Sequence, residues 1–128
     1  MELKTYFENK NGMGVLSTAD DKGTVNSAVY ARPHIFDDGT VAFIMRDRLS
    51  HHNLTSNPHA AFLFRENGPG YKGVRLHLTK TREEQDTPLV KDVCRRCRID
   101  TDKDAVRHLV FFKIDKQLPL IGAEDARD

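Results

Sequence analysis

The sequence is poor in cysteine, close to neutral in charge and without a long apolar run. Each lack removes a class of protein. Its only two cysteines, Cys94 and Cys97, stand close together in a basic stretch and offer no disulfide framework. The formal net charge is +1, so composition makes no electrostatic case for a nucleic-acid partner. No apolar run approaches the ~20 residues that span a bilayer, so no membrane partner is expected. Met1 to Lys10 is polar and lacks an apolar core of signal-peptide length, which leads us to expect a cytoplasmic protein. There is no internal repeat and no low-complexity segment. No Walker loop appears, no Gly-x-Gly-x-x-Gly fingerprint, and no Ser–His–Asp order worth defending.

What is present is a soluble globular balance. Of 128 residues, 38% are hydrophobic and 30% charged, which excludes a disordered chain. The length fits one domain over residues 1–128. A chain of this size buries roughly two-thirds of its unfolded surface and needs neither metal nor disulfide to fold.

The pattern along the chain is mostly that of strands. Leu3 to Lys10 predicts a short helix with Leu3, Tyr6 and Phe7 on one face, ended by Asn11-Gly12. Gly14 to Ala19 reads as a strand, followed by the turn cluster Asp20 to Gly23. Val25 to Phe36 reads as one long strand interrupted by Pro33, a residue suited to an edge or bulge. Asp37-Asp38-Gly39 is a hairpin signal, and Val41 to Met45 is the return strand. The period then changes. Ser50 to Ser56 suits a helix capped by Ser50 and closed by Asn57-Pro58. His59 to Arg65 and Val74 to Thr81 are strands flanking the loop Asn67 to Gly70, the second with a wet face of Arg75, His77 and Thr79. Arg82 to Thr101 predicts a partly helical segment with Pro88 in a first turn and Leu89, Val90 and Val93 as its apolar side. Leu109 to Ile114 is a last apolar strand, and the tail from Ala123 is expected to fray.

About six strands joined mainly by hairpins favour an antiparallel sheet that hides its edges as a barrel does. Pattern alone leaves a β-sandwich or a ferredoxin-like α+β domain open. Phe62, Phe64, Val110, Phe111 and Phe112 are expected in the core and at an interface.

Several constellations carry only a bland reading. Cys94-Arg95-Arg96-Cys97 has redox or zinc spacing, but no second cysteine pair exists to complete four ligands. The six histidines (His34, His51, His52, His59, His77 and His108) invite a metal reading. His51 and His52 are adjacent and cannot share a helix face, so no metal is expected. His77 and Arg75 are the first suspects for a substrate pocket. Tyr30 and Arg32 suit either a groove or an ordinary polar strand face. Tyr71, between loop glycines, suits a cover or an anchor. Asp20-Asp21 and Asp37-Asp38 are turn acids.

Three segments in order carry a resemblance. They are Gly14 to Ala19 with Val25-Asn26-Ser27-Ala28; then Gly39 to Ile44 with Arg46-Asp47-Arg48-Leu49-Ser50-His51-His52-Asn53-Leu54 and Asn57-Pro58; and last Asn67-Gly68-Pro69-Gly70 with its following strand. Together, over roughly residues 1–82, they resemble the pyridoxamine 5'-phosphate oxidase-like FMN-binding split-barrel superfamily. The resemblance implies a mainly β fold, a six-stranded antiparallel split β-barrel with short helices, forming a homodimer with FMN in the groove between subunits. It implies that Ser27, Ala28 and Val29 line the flavin ring, and that Ile44 and Met45 lie under the ribityl chain. Arg46, Arg48, Leu49, Ser50 and His51 would form the phosphate turn, and Asn53 would face the cofactor. Lys72 would reach in from the partner subunit. Where many members of that family carry Arg-Lys or Lys just before the helix, this chain has Leu49-Ser50.

Physical chemistry supports the phosphate turn independently. A phosphate dianion needs cations and donors, and arginines beside a helix N-terminus supply both. The plain alternative is a solvated charged turn with an ordinary cap. The implied function is a flavoprotein passing electrons or hydride to a small molecule, with FMN carrying the chemistry. No catalytic residue is assigned. A non-catalytic flavin- or haem-binding module, or a deazaflavin-dependent or nitro-compound reductase, are the alternatives. True pyridoxamine 5'-phosphate oxidase activity is not expected, because that enzyme's C-terminal substrate segment has no match here.

Overall fold

The computed structural model describes residues 2–85, 87–90 and 107–122. Helix α1 (Leu3–Asn9) leads into β1 (Gly12–Ala19), β2 (Val25–Tyr30), β3 (His34–Ile35) and β4 (Val41–Arg46). Helix α2 (Leu49–Ser56) follows, then β5 (His59–Glu66), β6 (Gly73–Gln85) and β7 (Arg107–Pro119). The seven strands among the described residues form one antiparallel sheet in the order β2-β1-β5-β6-β7-β4-β3, curled into a half-barrel. No described helix is long and apolar enough to cross a membrane.

The mainly β split-barrel architecture expected from the sequence is present, with seven strands rather than six. The extra strand comes from Val25 to Phe36, read as one element. The run instead yields β2 and β3, which lie on opposite edges of the sheet. Pro33 supplies the break, since it cannot donate to a ladder. Other boundaries shift for local reasons. Gly12 opens β1 rather than ending α1 in a left-handed turn, and a Cβ there would lie 2.1 Å from the Arg65 carbonyl oxygen. Residues 82–85, read as part of the polar, partly helical segment from Arg82 and not as strand, extend β6 to Gln85, where they pair with β7. Strand β7 is far longer than Leu109 to Ile114. Pro88 does sit at the start of a helical turn, with the Thr87 hydroxyl accepting the Val90 N–H at 3.3 Å. Val93, Cys94, Cys97 and the tail from Ala123 lie outside the described residues.

The interior is packed by alternate residues of each strand. Leu16, Phe62, Phe64, Leu76, Leu78, Val110 and Phe112 point inward with Val41, Phe43 and Met45. Phe7 of α1 closes one end, edge-on to Phe64 at 5.2 Å. Each such side chain, fully buried, contributes about 1.5–3 kcal/mol. Strand β4 is buried on both faces. Its other side forms a second cluster in which Ala42 packs with Leu109, Phe111 and Val90. Phe111 thus leaves the main core, stacked on Phe36 at 5.6 Å with the Arg82 guanidinium 3.7 Å above its ring.

Candidate functional site

Helix α2 positions the site. Its N-cap residue is Arg48, in extended conformation, and no side chain caps the helix. Ser50 was expected as the cap but lies inside the first turn. It points inward, and the Tyr30 hydroxyl hydrogen-bonds to it. The reason is burial: Ser50, His51, Asn53 and Leu54 form the covered face of α2. Three of the four are polar, so each needs a partner inside the protein. Ser50 takes Tyr30 of β2, Asn53 donates to the Thr18 hydroxyl of β1 at 3.0 Å, and His51 reaches Glu83 of β6 at 2.9 Å.

The uncapped start of α2 leaves first-turn N–H groups without a side-chain acceptor, beside Arg46 and Arg48. That is chemistry an anion satisfies, with the helix dipole in its favour. The positive field of Arg48 and the Ser50 hydrogen bond both act to lower the Tyr30 pKa, yet burial outweighs them and raises it. Tyr30 is therefore a neutral donor or acceptor at physiological pH.

The expected site residues divide into two groups. Arg46, Arg48 and exposed Leu49 form the turn, and Ser27 and Val29 sit exposed on the outer face of β2. Tyr30 and Ser50 join these two parts across the barrel mouth. Ala28, by contrast, faces inward, half-buried. Met45 is 0% exposed and belongs to the core, while Ile44 packs into the second cluster. Their side chains face opposite sides of β4, as strand alternation requires. Asn53 faces Thr18, not a groove. Lys72 precedes β6, and its carbonyl accepts from Glu66 N–H at the end of the β5–β6 hairpin opposite the α2 end, where Lys80 N–H reaches Pro58. It does not meet the turn within one chain.

Arg32 is a structural residue. Its guanidinium donates to the Phe7 and Lys10 carbonyls at 2.8 and 2.7 Å and so ties down the end of α1. Arg75 likewise donates to the Pro119 carbonyl at 2.9 Å and to that of Gly122. Tyr71 is exposed, with the Arg65 guanidinium 5.6 Å from its ring centre. His77, the other early suspect, does line a groove. The groove has a volume of about 600 Å³ and lies on the outer face of the sheet, between Ser17, Val25, His59, His77 and Lys116. Ser17 shares a 2.9 Å hydrogen bond with Ser27, so the groove borders the outer face of β2.

Sequence reasoning missed a polar cluster under α2. Glu83, Lys80 and His108 meet His51 there. Glu83 Oε2 lies 2.9 Å from His51 Nε2 and 3.2 Å from His108 Nδ1, and Lys80 Nζ lies 2.6 Å from Glu83 Oε1. Burial of Glu83 acts to raise its pKa, but the hydrogen bonds and charges of Lys80 and His51 prevail and hold it at about 2. No local signal announces this cluster, because its members come from α2, β6 and β7.

No protein-family model matches the chain, and no curated protein matches it. Solved structures do. An FMN-binding protein from Syntrophomonas wolfei subsp. wolfei superposes with a TM-score of 0.76 at 22% identity, covering 95% of this chain and 86% of that one. HupZ of Group A Streptococcus gives 0.72 at 15% identity over 94% and 93% of the two chains. A pyridoxamine 5'-phosphate oxidase candidate from Lactobacillus delbrueckii gives 0.69 at 15% identity over 92% of each. An F420 reductase and the haem storage protein HutZ from Vibrio cholerae share the architecture. At these identities the likeness is one of fold: the chain shares the split-barrel fold of these structures.

Proposed function

We propose that this protein binds FMN and acts as an oxidoreductase on a small molecule, working as a homodimer in the cytoplasm. The observation that carries the reading is the uncapped α2 N-terminus, directly preceded by Arg46 and Arg48 in a fold shared with an FMN-binding protein. Arg46, Arg48 and the first-turn N–H groups would hold the phosphate, with Tyr30 and Ser50 fixing the turn against β2. Ser27 and Val29 would present the outer face of β2 to the ring, next to the groove that contains His77. Met45 and Asn53 contribute through packing and through the Thr18 bond rather than by side-chain contact. FMN, when bound, supplies the electron or hydride chemistry, and the protein supplies binding and orientation.

The dimer reading rests on exposed apolar residues. Val15 pairs with Val29 on one side and Leu63 on the other, giving an apolar row across the outer face of β2, β1 and β5. A second copy covering this face would remove the row from water.

The test is a pair of titrations followed by flavin fluorescence quenching. FMN is expected to bind saturably, and Arg46→Ala with Arg48→Ala to weaken FMN by at least ~10-fold while leaving riboflavin affinity unchanged, since riboflavin lacks the phosphate. A wild-type protein indifferent to FMN sinks the flavin reading. A Soret band in the purified protein would assign the same fold to haem instead.

A further inference from the structure

Apart from the flavin reading, we propose that Asp47, His51 and His108 form a site for a divalent transition-metal ion such as zinc, with Glu83 orienting both histidines. A ligand atom from each of these three residues lies within 4.8 Å of the other two. His51 Nδ1 is 3.7 Å from Asp47 Oδ1. Two imidazoles and a carboxylate are the ligands that zinc and its neighbours prefer, and three protein ligands leave a position for water.

The stronger argument is the second carboxylate. A carboxylate has only acceptor oxygens to offer a neighbouring imidazole. Glu83 Oε2 faces His51 Nε2 at 2.9 Å and His108 Nδ1 at 3.2 Å. A proton on each of those two nitrogens would leave the lone pairs on His51 Nδ1 and His108 Nε2 for an ion. A histidine that ligates a metal almost always gives its other N–H to a carboxylate, and here one carboxylate serves two histidines. His108 is 7% exposed, and its Nδ1 has no hydrogen-bond partner despite the nearby oxygen.

The two rings are stacked 3.7 Å apart and 9° from parallel, and an ion lying in the plane of both requires the planes to hinge apart. Asp47 and Glu83 bring two carboxylates to the cluster, with Lys80 Nζ 2.6 Å from Glu83 Oε1.

The test uses Co2+ alone as the probe, in full-length protein carrying Cys94→Ser and Cys97→Ser so that thiolate ligation does not contribute. One equivalent of Co2+ per chain is expected to develop visible absorption of nitrogen–oxygen type, displaced by Zn2+. Asp47→Asn, at an exposed position, and His108→Phe, which keeps a ring against His51, are each expected to weaken binding at least ~10-fold, and Glu83→Gln by ~10–100-fold. Asp47→Asn leaves the fold untouched, so its result stands even if His108→Phe unfolds. Absence of the absorption at millimolar Co2+, or binding unchanged by Asp47→Asn and Glu83→Gln, overturns the proposal.

Discussion

The side-chain amide of Asn53, in α2, donates to the Thr18 hydroxyl, in β1, across 3.0 Å of protein interior. Both residues are buried, at 3% and 2% exposure, so neither can turn to water if the other is removed. The bond fixes the helix to the strand whatever the cofactor does. Asn53→Ala is therefore expected to lower unfolding stability by about 1–3 kcal/mol in flavin-free protein. Urea denaturation without added flavin measures it. An unchanged midpoint, with a loss only in FMN affinity, would instead make Asn53 a cofactor contact.

A second prediction concerns acid. The Glu83 carboxyl sits at about 2 in the folded protein against an ordinary 4.5. Unfolded chains therefore bind its proton first as pH falls. Its contribution to stability is complete above 4.5 and is lost as pH drops from there toward 2. The gap in urea midpoint between wild type and Glu83→Gln should be widest near neutral pH and shrink as pH falls from about 5 to about 3. A gap independent of pH would mean that Glu83 acts through packing and not through its charge.

These two contacts mark the limit of what the sequence could reveal. Strands β1, β4 and β5 were legible because alternation and turn residues are local signals, and Gly39, at φ +88°, completes its hairpin as expected. The joining of Tyr30 to Ser50 was not legible. Arg48 and Ser50 are both plausible helix starts, and burial of Ser50 against β2 decided between them. Residues 82–85 were misread for the reverse reason. Their run of charges lacks strand alternation, yet pairing with β7 carries them as a strand. The cluster of His51, Glu83 and His108 depends on three distant elements meeting, and no spacing rule encodes that.

Close backbone approach gives a third prediction, a rank order among glycines. A Cβ at Gly73 would stand 1.9 Å from the Phe64 carbonyl oxygen, and one at Gly14 would stand 2.5 Å from the Phe62 ring. Gly39 has open space around it but a φ of +88°. Gly39→Ala pays only for its left-handed backbone, about 1–2 kcal/mol. Gly73→Ala must push a ladder strand aside and is expected to cost more than that. Thermal melts of the variants check the order, and a Gly73→Ala protein as stable as Gly39→Ala would contradict the β5–β6 register.

The last prediction follows from the outer face of β2. Val25 is 76% exposed and Val29 72%, on a six-residue edge strand whose neighbour β1 places half-buried Val15 beside Val29. Leaving two valines in water forfeits about 1.5–3 kcal/mol for each that could be buried. In a symmetric pair each is counted twice, which suits an isologous interface. Val29→Lys puts a charge in the middle of that face without touching the core, since Val29 points away from it. The variant is expected to keep the wild-type melting behaviour at low concentration, where both are monomeric. Light scattering at high concentration should then find wild type at twice the monomer mass and Val29→Lys at the monomer mass. Val29 is also a proposed ring contact, so a loss of FMN binding together with the dimer is assigned to a partner-completed site only where Lys72→Ala, which leaves Val29 in place, weakens FMN as well. If the variant stays dimeric, the interface lies elsewhere on the sheet, and the exposed valines need another explanation.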